Sequence, residues 1–252
     1  MTNIENFDNY LFRCSSLSDI IPNQKTKELT KTIKLAIRKK FVEKITDTRK
    51  DIHSKYLDKG VSCEPESTKL LQTTIYPISK GNAVLKAIKE RKENEYISGE
   101  TDIIKDGIVY DLKNAYDEYT FVEAELSSKY EWQLTGYMWL NNLNKARLFY
   151  TLNNMPEHLI QKEEQNLFYS RDVYYENDFD PKYMEACRLL RERYKYDRLP
   201  LWERFKLWDI QLDESRIPII IDAVNLARGY MNELLFEHKE HVRKNKELMG
   251  VQ

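Results

Sequence analysis

The chain predicts an α/β domain with a central mixed sheet, helices on both sides and a helical C-terminal extension. Three observations predict it: a strong hairpin signal at 99–113, a second strand signal at 146–152, and apolar residues at helical spacing before and after both. Glycine and proline are scarce, seven of each in 252 residues, and no repeat, low-complexity tract or long linker divides the chain. One domain over 1–252 is therefore predicted, with a core at roughly 10–160 and the extension at roughly 160–252.

Taken in order, residues 1–21 predict a loop and a short helix capped by Ser18 or Asp19. Residues 26–57 read as mainly helical, because Ile33, Ile37, Phe41 and Ile45 recur four apart. Within Lys25–Lys50 ten Lys/Arg stand against three acids, so this helix has a basic face able to meet phosphates without reading sequence. An ordinary solvated helix has the same pattern. Gly60 predicts an interruption, with a second helix through Leu71 and Pro65 in its first turn. Ile75–Ile78 reads as a short strand or extended link, and Ala83–Lys92 as helix or loop. Tyr119-Thr120-Phe121 predicts the chain's return to the core. A helix then runs to about Asn141, with Gln133 and Tyr137 one turn apart on one face. Ala146–Leu152 is the remaining strand. Helices are predicted to dominate from Pro156 onward, notably Pro181–Tyr196 and Pro218–Arg243.

The hairpin carries the chemistry. Asp106-Gly107 is a two-residue turn signal, flanked by Ile103-Ile104 and Ile108-Val109-Tyr110. A two-residue loop pairs Ile104 with Val109, Ile103 with Tyr110 and Asp102 with Asp111. Facing residues have Cβ atoms roughly 4.5–5.5 Å apart, where like charges are destabilising unless something compensates them. A divalent cation would do so. Lys113 shares the face of Asp111, and the same register sets Glu100 opposite Lys113. Two carboxylates that share Mg²⁺ beside a lysine suit phosphodiester hydrolysis: the metal polarises the phosphoryl oxygen, and the lysine orients or deprotonates a water. A solvated hairpin with an acidic rim is the plain alternative, and a one-residue bulge would break the register.

Asp102…Asp111-Leu112-Lys113 resembles the core motif of the PD-(D/E)XK (restriction-endonuclease-like) nuclease superfamily. Three more segments extend the resemblance in the family's order. Gln133…Tyr137 resembles the QxxxY helix of the RecB-type branch. Lys59-Gly60-Val61-Ser62-Cys63-Glu64-Pro65 resembles its (R/K)GxxxEP element, with lysine where arginine is common. Arg13-Cys14-Ser15-Ser16 resembles the Arg-Ser entry motif of the lambda-exonuclease-like (YqaJ-type) viral recombinases. The four elements span residues 13–137.

That resemblance implies a Mg²⁺-dependent deoxyribonuclease, with Mn²⁺ as a substitute. Asp102, Asp111, Glu64 and the Leu112 carbonyl would hold metal, Lys113 would act on the attacking water, and Gln133 and Tyr137 would steady the site. Arg13, Ser15 and Ser16 would hold a terminal 5′-phosphate by charge-assisted hydrogen bonds. The implied substrate is the double-stranded DNA end, trimmed 5′ to 3′ for phage-type recombination, with a single-strand annealing protein as partner and a ring of three subunits. Glu64 is otherwise a first-turn helix glutamate favoured by the dipole, Ser15-Ser16 a helix cap, and Tyr137 a core tyrosine.

Cys14, Cys63 and Cys187 are widely spaced, which predicts neither a zinc site nor a disulfide framework. It also separates the chain from RecB-type relatives that hold an iron–sulfur cluster. His53, His158, His238 and His241 form no metal set by spacing. No apolar run approaches 18 residues and no signal-peptide pattern occurs, so an intracellular, soluble protein with no membrane contact is expected; the resemblance implies the cytoplasm of a bacterial or phage-infected cell. Net charge is −1, which by itself names no partner. Two other readings stay open: a RecB-type endonuclease or CRISPR-associated processing nuclease, and a catalytically inactive DNA-binding scaffold of the same fold.

Overall fold

In the computed structural model, which describes residues 4–48, 54–86, 90–170, 175 and 177–250, the Asp106-Gly107 turn opens a four-stranded sheet. Both turn residues have positive φ, 53° and 73°, the mirror-image turn whose twist matches that of paired strands. It joins β4 (Ile103–Lys105) to β5 (Ile108–Asn114), with Ile103 against Tyr110 and Ile104 against Val109. β6 (Lys145–Thr151) runs parallel to β5, placing Leu148 beside Asp111 and Tyr150 beside Lys113. β7 (Phe205–Gln211) lies antiparallel on β6, so the sheet is mixed, as expected. β7 falls in the region where helices were predicted to dominate. Its β-forming run Phe205-Lys206-Leu207-Trp208-Asp209-Ile210 is the signal that reading passed over.

A second, three-stranded sheet holds β1 (Phe12–Arg13), β3 (Ile97–Glu100) and β2 (Arg91–Glu93) in the order β1-β3-β2. β1 and β3 are parallel, with Arg13 beside Ser98; β2 and β3 are antiparallel, with Arg91 opposite Glu100. This corrects one expectation. Glu100 does not continue the hairpin opposite Lys113, because the chain bends at Asp102 and β3 pairs in the other sheet.

The strand period sorts β5 between two cores. Val109 faces the cluster built with Leu134, Tyr137 and Met138, whereas Tyr110 and Leu112 face Leu70, Leu71 and Tyr76. Asp111, on the Val109 face, therefore points toward the helix α5 (Ser128–Asn141) that carries Gln133 and Tyr137.

The basic helix is α1 (Lys31–Thr46). Thr30 caps it by accepting from the Ile33 N–H at 3.3 Å, and Ile33, Ile37, Phe41 and Ile45 form its buried stripe. Most of its lysines point outward; Arg49 and Lys50 lie outside the described residues, as does His53. α2 (Lys55–Ser62) runs straight through Gly60, so the predicted interruption is displaced to Cys63, and α3 (Glu64–Thr74) follows. Proline sets that boundary. Pro65 lacks an N–H and clashes with a preceding turn, so the helix must restart where Pro65 sits in its first turn.

Elsewhere the N-terminal helix is a 3₁₀ turn over Cys14–Asp19, with Ser18 and Asp19 at its end and not at its cap. Tyr76 and Pro77 form a link into a short 3₁₀ turn, Ile78–Lys80. Residues 82–86 and 90 are irregular. The Tyr119–Phe121 return is helical, α4 (Glu118–Glu123), capped by Asp117 on the Thr120 N–H at 2.9 Å. α6 (Glu157–Phe168) and α7 (Pro181–Arg193) pack together, and α8 (Arg216–Met249) closes the chain. The α8 stripe Ile220, Val224, Ala227, Met231 and Leu235 is buried within its own subunit, partly against α1. Among the described residues no helix is long and apolar enough to cross a membrane.

Candidate active site

The bend at Asp102 builds the site. The backbone ladder ends at Ile103–Tyr110, and the Asp102 carboxylate replaces the next rung: its Oδ2 accepts from the Leu112 N–H at 2.7 Å. Asp102 and Asp111 thus come together at the hairpin base as expected, but through this side-chain bond instead of a further strand pair. Burial, and then the neighbouring Asp111 charge, push the Asp102 carboxyl up to about 6, against the opposing pull of Lys113 and the Leu112 N–H.

Asp111 is 2 % exposed. Its Oδ1 accepts from Gln133 Nε2 at 3.0 Å, and Lys113 Nζ stands 2.6 Å from Oδ2. No hydrogen bond of ordinary geometry reaches that Oδ2, so one buried carboxylate oxygen has an ion-pair neighbour but no aligned donor. Burial alone would depress the Lys113 ammonium; Asp111 and Asp102 outweigh it and hold the pKa above the usual lysine value. Lys113 Nζ is also 3.5 Å from the Leu112 carbonyl oxygen and lies over the Tyr130 ring, 5.9 Å from its centroid.

Gln133 and Tyr137 are one helical turn apart, and Gln133 Nε2 also donates to the Tyr137 hydroxyl at 3.1 Å. Burial raises the Tyr137 phenol well above its ordinary range, so it stays neutral. Glu64, at the start of α3, acts on Asp102 through space and raises its pKa slightly further. Among the described residues no three His, Cys, Asp or Glu side chains gather as a metal cage. The carboxylates that act on Asp102 are Asp111 and, more weakly, Glu64.

The donor set suits a hard divalent cation, which takes carboxylate and carbonyl oxygens. Asp102, the unaligned Asp111 Oδ2 and the Leu112 carbonyl offer such oxygens beside the middle of β5.

A cavity of about 150 Å³ adjoins the site, lined by Arg13, Ser15, Arg91, Ser98, Glu100 and Tyr137 among others. Two of the three entry-motif residues line it. Ser16 does not: its hydroxyl donates to the Arg13 carbonyl at 3.0 Å. Gly99 keeps the cavity floor tight, because a Cβ there would lie 2.8 Å from both Cys14 Sγ and the Tyr137 ring. Sequence reasoning missed Arg91 and Ser98. Ser98-Gly99 three residues ahead of Asp102 is a usable spacing; Arg91, on a three-residue exposed strand, has no local signal.

Lys59 proves architectural. It is fully buried on α2, donates to the Tyr116 carbonyl at 2.8 Å and lies over the Tyr196 ring, with its pKa pushed down to about 8 by burial. It pins α2 to the segment that follows β5. His158, His238 and His241 sit on α6 and α8 and take no part in the site.

No protein-family model and no curated protein sequence matches the chain. Solved structures do. A phage-related exonuclease from Haemophilus somnus 129PT superposes with a TM-score of 0.70 at 27% identity, covering 91% of this chain and 97% of that one. An alkaline exonuclease from Laribacter hongkongensis, LHK-Exo, superposes at 0.57 with 14% identity over 96% of each chain. The same enzyme in complex with dAMP gives 0.55 and 15%, over 94% of each. The last two show the shared fold. With that fold, and with Asp102, Asp111, Lys113, Gln133 and Tyr137 brought together around the middle of β5, the chain is similar to phage-related exonucleases, in keeping with the resemblance its motifs carry.

Proposed function

We propose that this chain is a Mg²⁺-dependent DNA exonuclease that degrades double-stranded ends 5′ to 3′, with Mn²⁺ able to substitute. The observation that carries the reading is the buried Asp111 carboxylate. Gln133 fixes one of its oxygens, and the other is left without an aligned donor beside Lys113. Asp102 and Asp111 are two neighbouring buried carboxylates served by one ammonium, Lys113, and a divalent cation would offset the charge that remains.

Asp102, Asp111 and the Leu112 carbonyl would hold the metal, with Glu64 completing its surroundings. When bound, the cation supplies charge neutralisation at the phosphoryl oxygen and an acidified water. Lys113 carries a proton at Nζ, held there by two carboxylates, and orients the attacking water or offsets charge on the phosphate. Gln133 locks the Asp111 rotamer. Tyr137 joins this hydrogen-bonded chain to the adjoining cavity, where Arg13 and Ser15 take the terminal 5′-phosphate.

The resemblance further implies a trimeric ring and a single-strand annealing partner. The ring draws no support from α8, whose apolar stripe packs within its own subunit.

The test is digestion of end-labelled linear duplex beside closed circular DNA, with Mg²⁺ and with excess EDTA. Loss of the linear substrate alone, dependent on metal, is expected. Cleavage of circles would move the reading to an endonuclease, and inertness toward both to a binding scaffold.

A further inference from the structure

The cavity holds a second arginine that the entry motif does not contain. Arg13 on β1 sits beside Ser98 on β3, and Arg91 on β2 stands opposite Glu100. Facing residues and residues two apart share a face of a sheet. Arg13, Ser98, Arg91, Glu93 and Glu100 therefore project to one side. Arg91 Nη2 donates to Ser98 Oγ at 3.1 Å, and Ser98 is 1 % exposed. The guanidinium is thus drawn along the sheet toward Arg13. Arg91 Nε is also 3.6 Å from Glu93, but both side chains are more than half exposed and water screens that pair.

We propose that Arg91 is the second guanidinium of the terminal-phosphate pocket, and that the two arginines together select a phosphomonoester end. This rests on reading the cavity as that pocket. The charge count argues for it. Glu100 lines the same wall, so Arg13 with Glu100 alone would give the cavity no net positive charge. Arg91 restores it. A terminal phosphomonoester carries close to two negative charges near neutral pH, an internal diester one. Two guanidinium forks with the Ser15 and Ser98 hydroxyls match the former in both charge and donor number. Among the described residues no salt bridge holds Arg13, so its fork is not already committed to a carboxylate.

Initial rates on 5′-phosphoryl and 5′-hydroxyl linear duplexes, for wild type, Arg13→Ala, Arg91→Ala and Arg91→Lys, test the inference. Wild type should prefer the phosphorylated end. Arg91→Ala should lose about tenfold of that preference, as expected for a charge-assisted hydrogen bond. Its rate on the hydroxyl end should fall less than its rate on the phosphorylated end, and Arg91→Lys should recover part of the preference. Inorganic phosphate should inhibit wild type on phosphorylated ends and Arg91→Ala more weakly. If wild type shows the preference, Arg13→Ala loses it and Arg91→Ala keeps it, the Arg91 role falls while the pocket stands. If Arg91→Ala slows both ends equally, Arg91 is structural. If wild type shows no preference, the pocket itself falls.

Discussion

Gln133 and Asp111, twenty-two residues apart, meet at 3.0 Å through Nε2 and Oδ1, and this contact fixes which carboxylate oxygen stays available. The other oxygen, Oδ2, faces Lys113 at 2.6 Å. Chemistry at this site depends on that division.

Asp111→Asn should abolish metal-dependent cleavage while the protein remains folded. Asparagine keeps an acceptor for Gln133, and Asp102 still supplies a negative charge near Lys113. The lost ligand removes charge stabilisation worth several kcal/mol in the transition state. A gel assay with Mg²⁺ and a thermal melt check both halves. Full cleavage by a folded variant, or undiminished wild-type activity in EDTA, would sink the assignment.

Gln133→Leu should lower kcat by about 10- to 100-fold, the usual cost of losing a group that orients a metal ligand. It should also weaken Mn²⁺ binding by a similar factor, read by isothermal titration calorimetry. An unchanged Mn²⁺ affinity would show that the 3.0 Å contact does not orient Asp111.

Asp102 should cost the metal-free protein stability, relative to Asp102→Asn, as pH rises from about 4 to about 6. Asp102 has its folded pKa raised, to about 6, by burial and by Asp111. In that window Asp102 binds more protons in the folded state than in the unfolded chain, so its own contribution to the unfolding free energy falls with pH. Urea melts in EDTA measure it. Asp102→Asn should flatten the difference between pH 4 and pH 6 relative to wild type; an equal slope in both proteins rules the source out.

Arg13→Ala should change which ends are cut more than how fast an unphosphorylated end is cut. Arg13 lines the cavity and not the carboxylate site. Comparing rates on the two duplex ends reads this directly, and equal slowing on both would remove the terminal-phosphate role.

If the implied ring forms, light scattering at micromolar protein should give a mass near 90 kDa, three subunits of 30.2 kDa each. Digestion should then persist on engaged molecules when excess unlabelled DNA is added. A 30 kDa mass with digestion that the competitor stops would refute the ring and leave the nuclease reading intact.

Local sequence determined the elements whose signals are short-range. Asp106-Gly107 requires two positive φ values, so its hairpin register followed from the chain alone, and with it the meeting of Asp102 and Asp111. The four-residue spacing of Ile33, Ile37, Phe41 and Ile45 gave the α1 stripe, and that of Gln133 and Tyr137 gave their shared face. Tertiary structure decided what long-range pairing controls. Glu100 left the hairpin for another sheet, since an acidic residue beyond the bend at Asp102 carries no register information of its own. β7 exists because β6 offers it an edge, and its half-buried residues show only a weak pattern. Arg91 entered the cavity only when β2 paired with β3, because a polar residue on a three-residue strand acquires its role from whatever strand it meets.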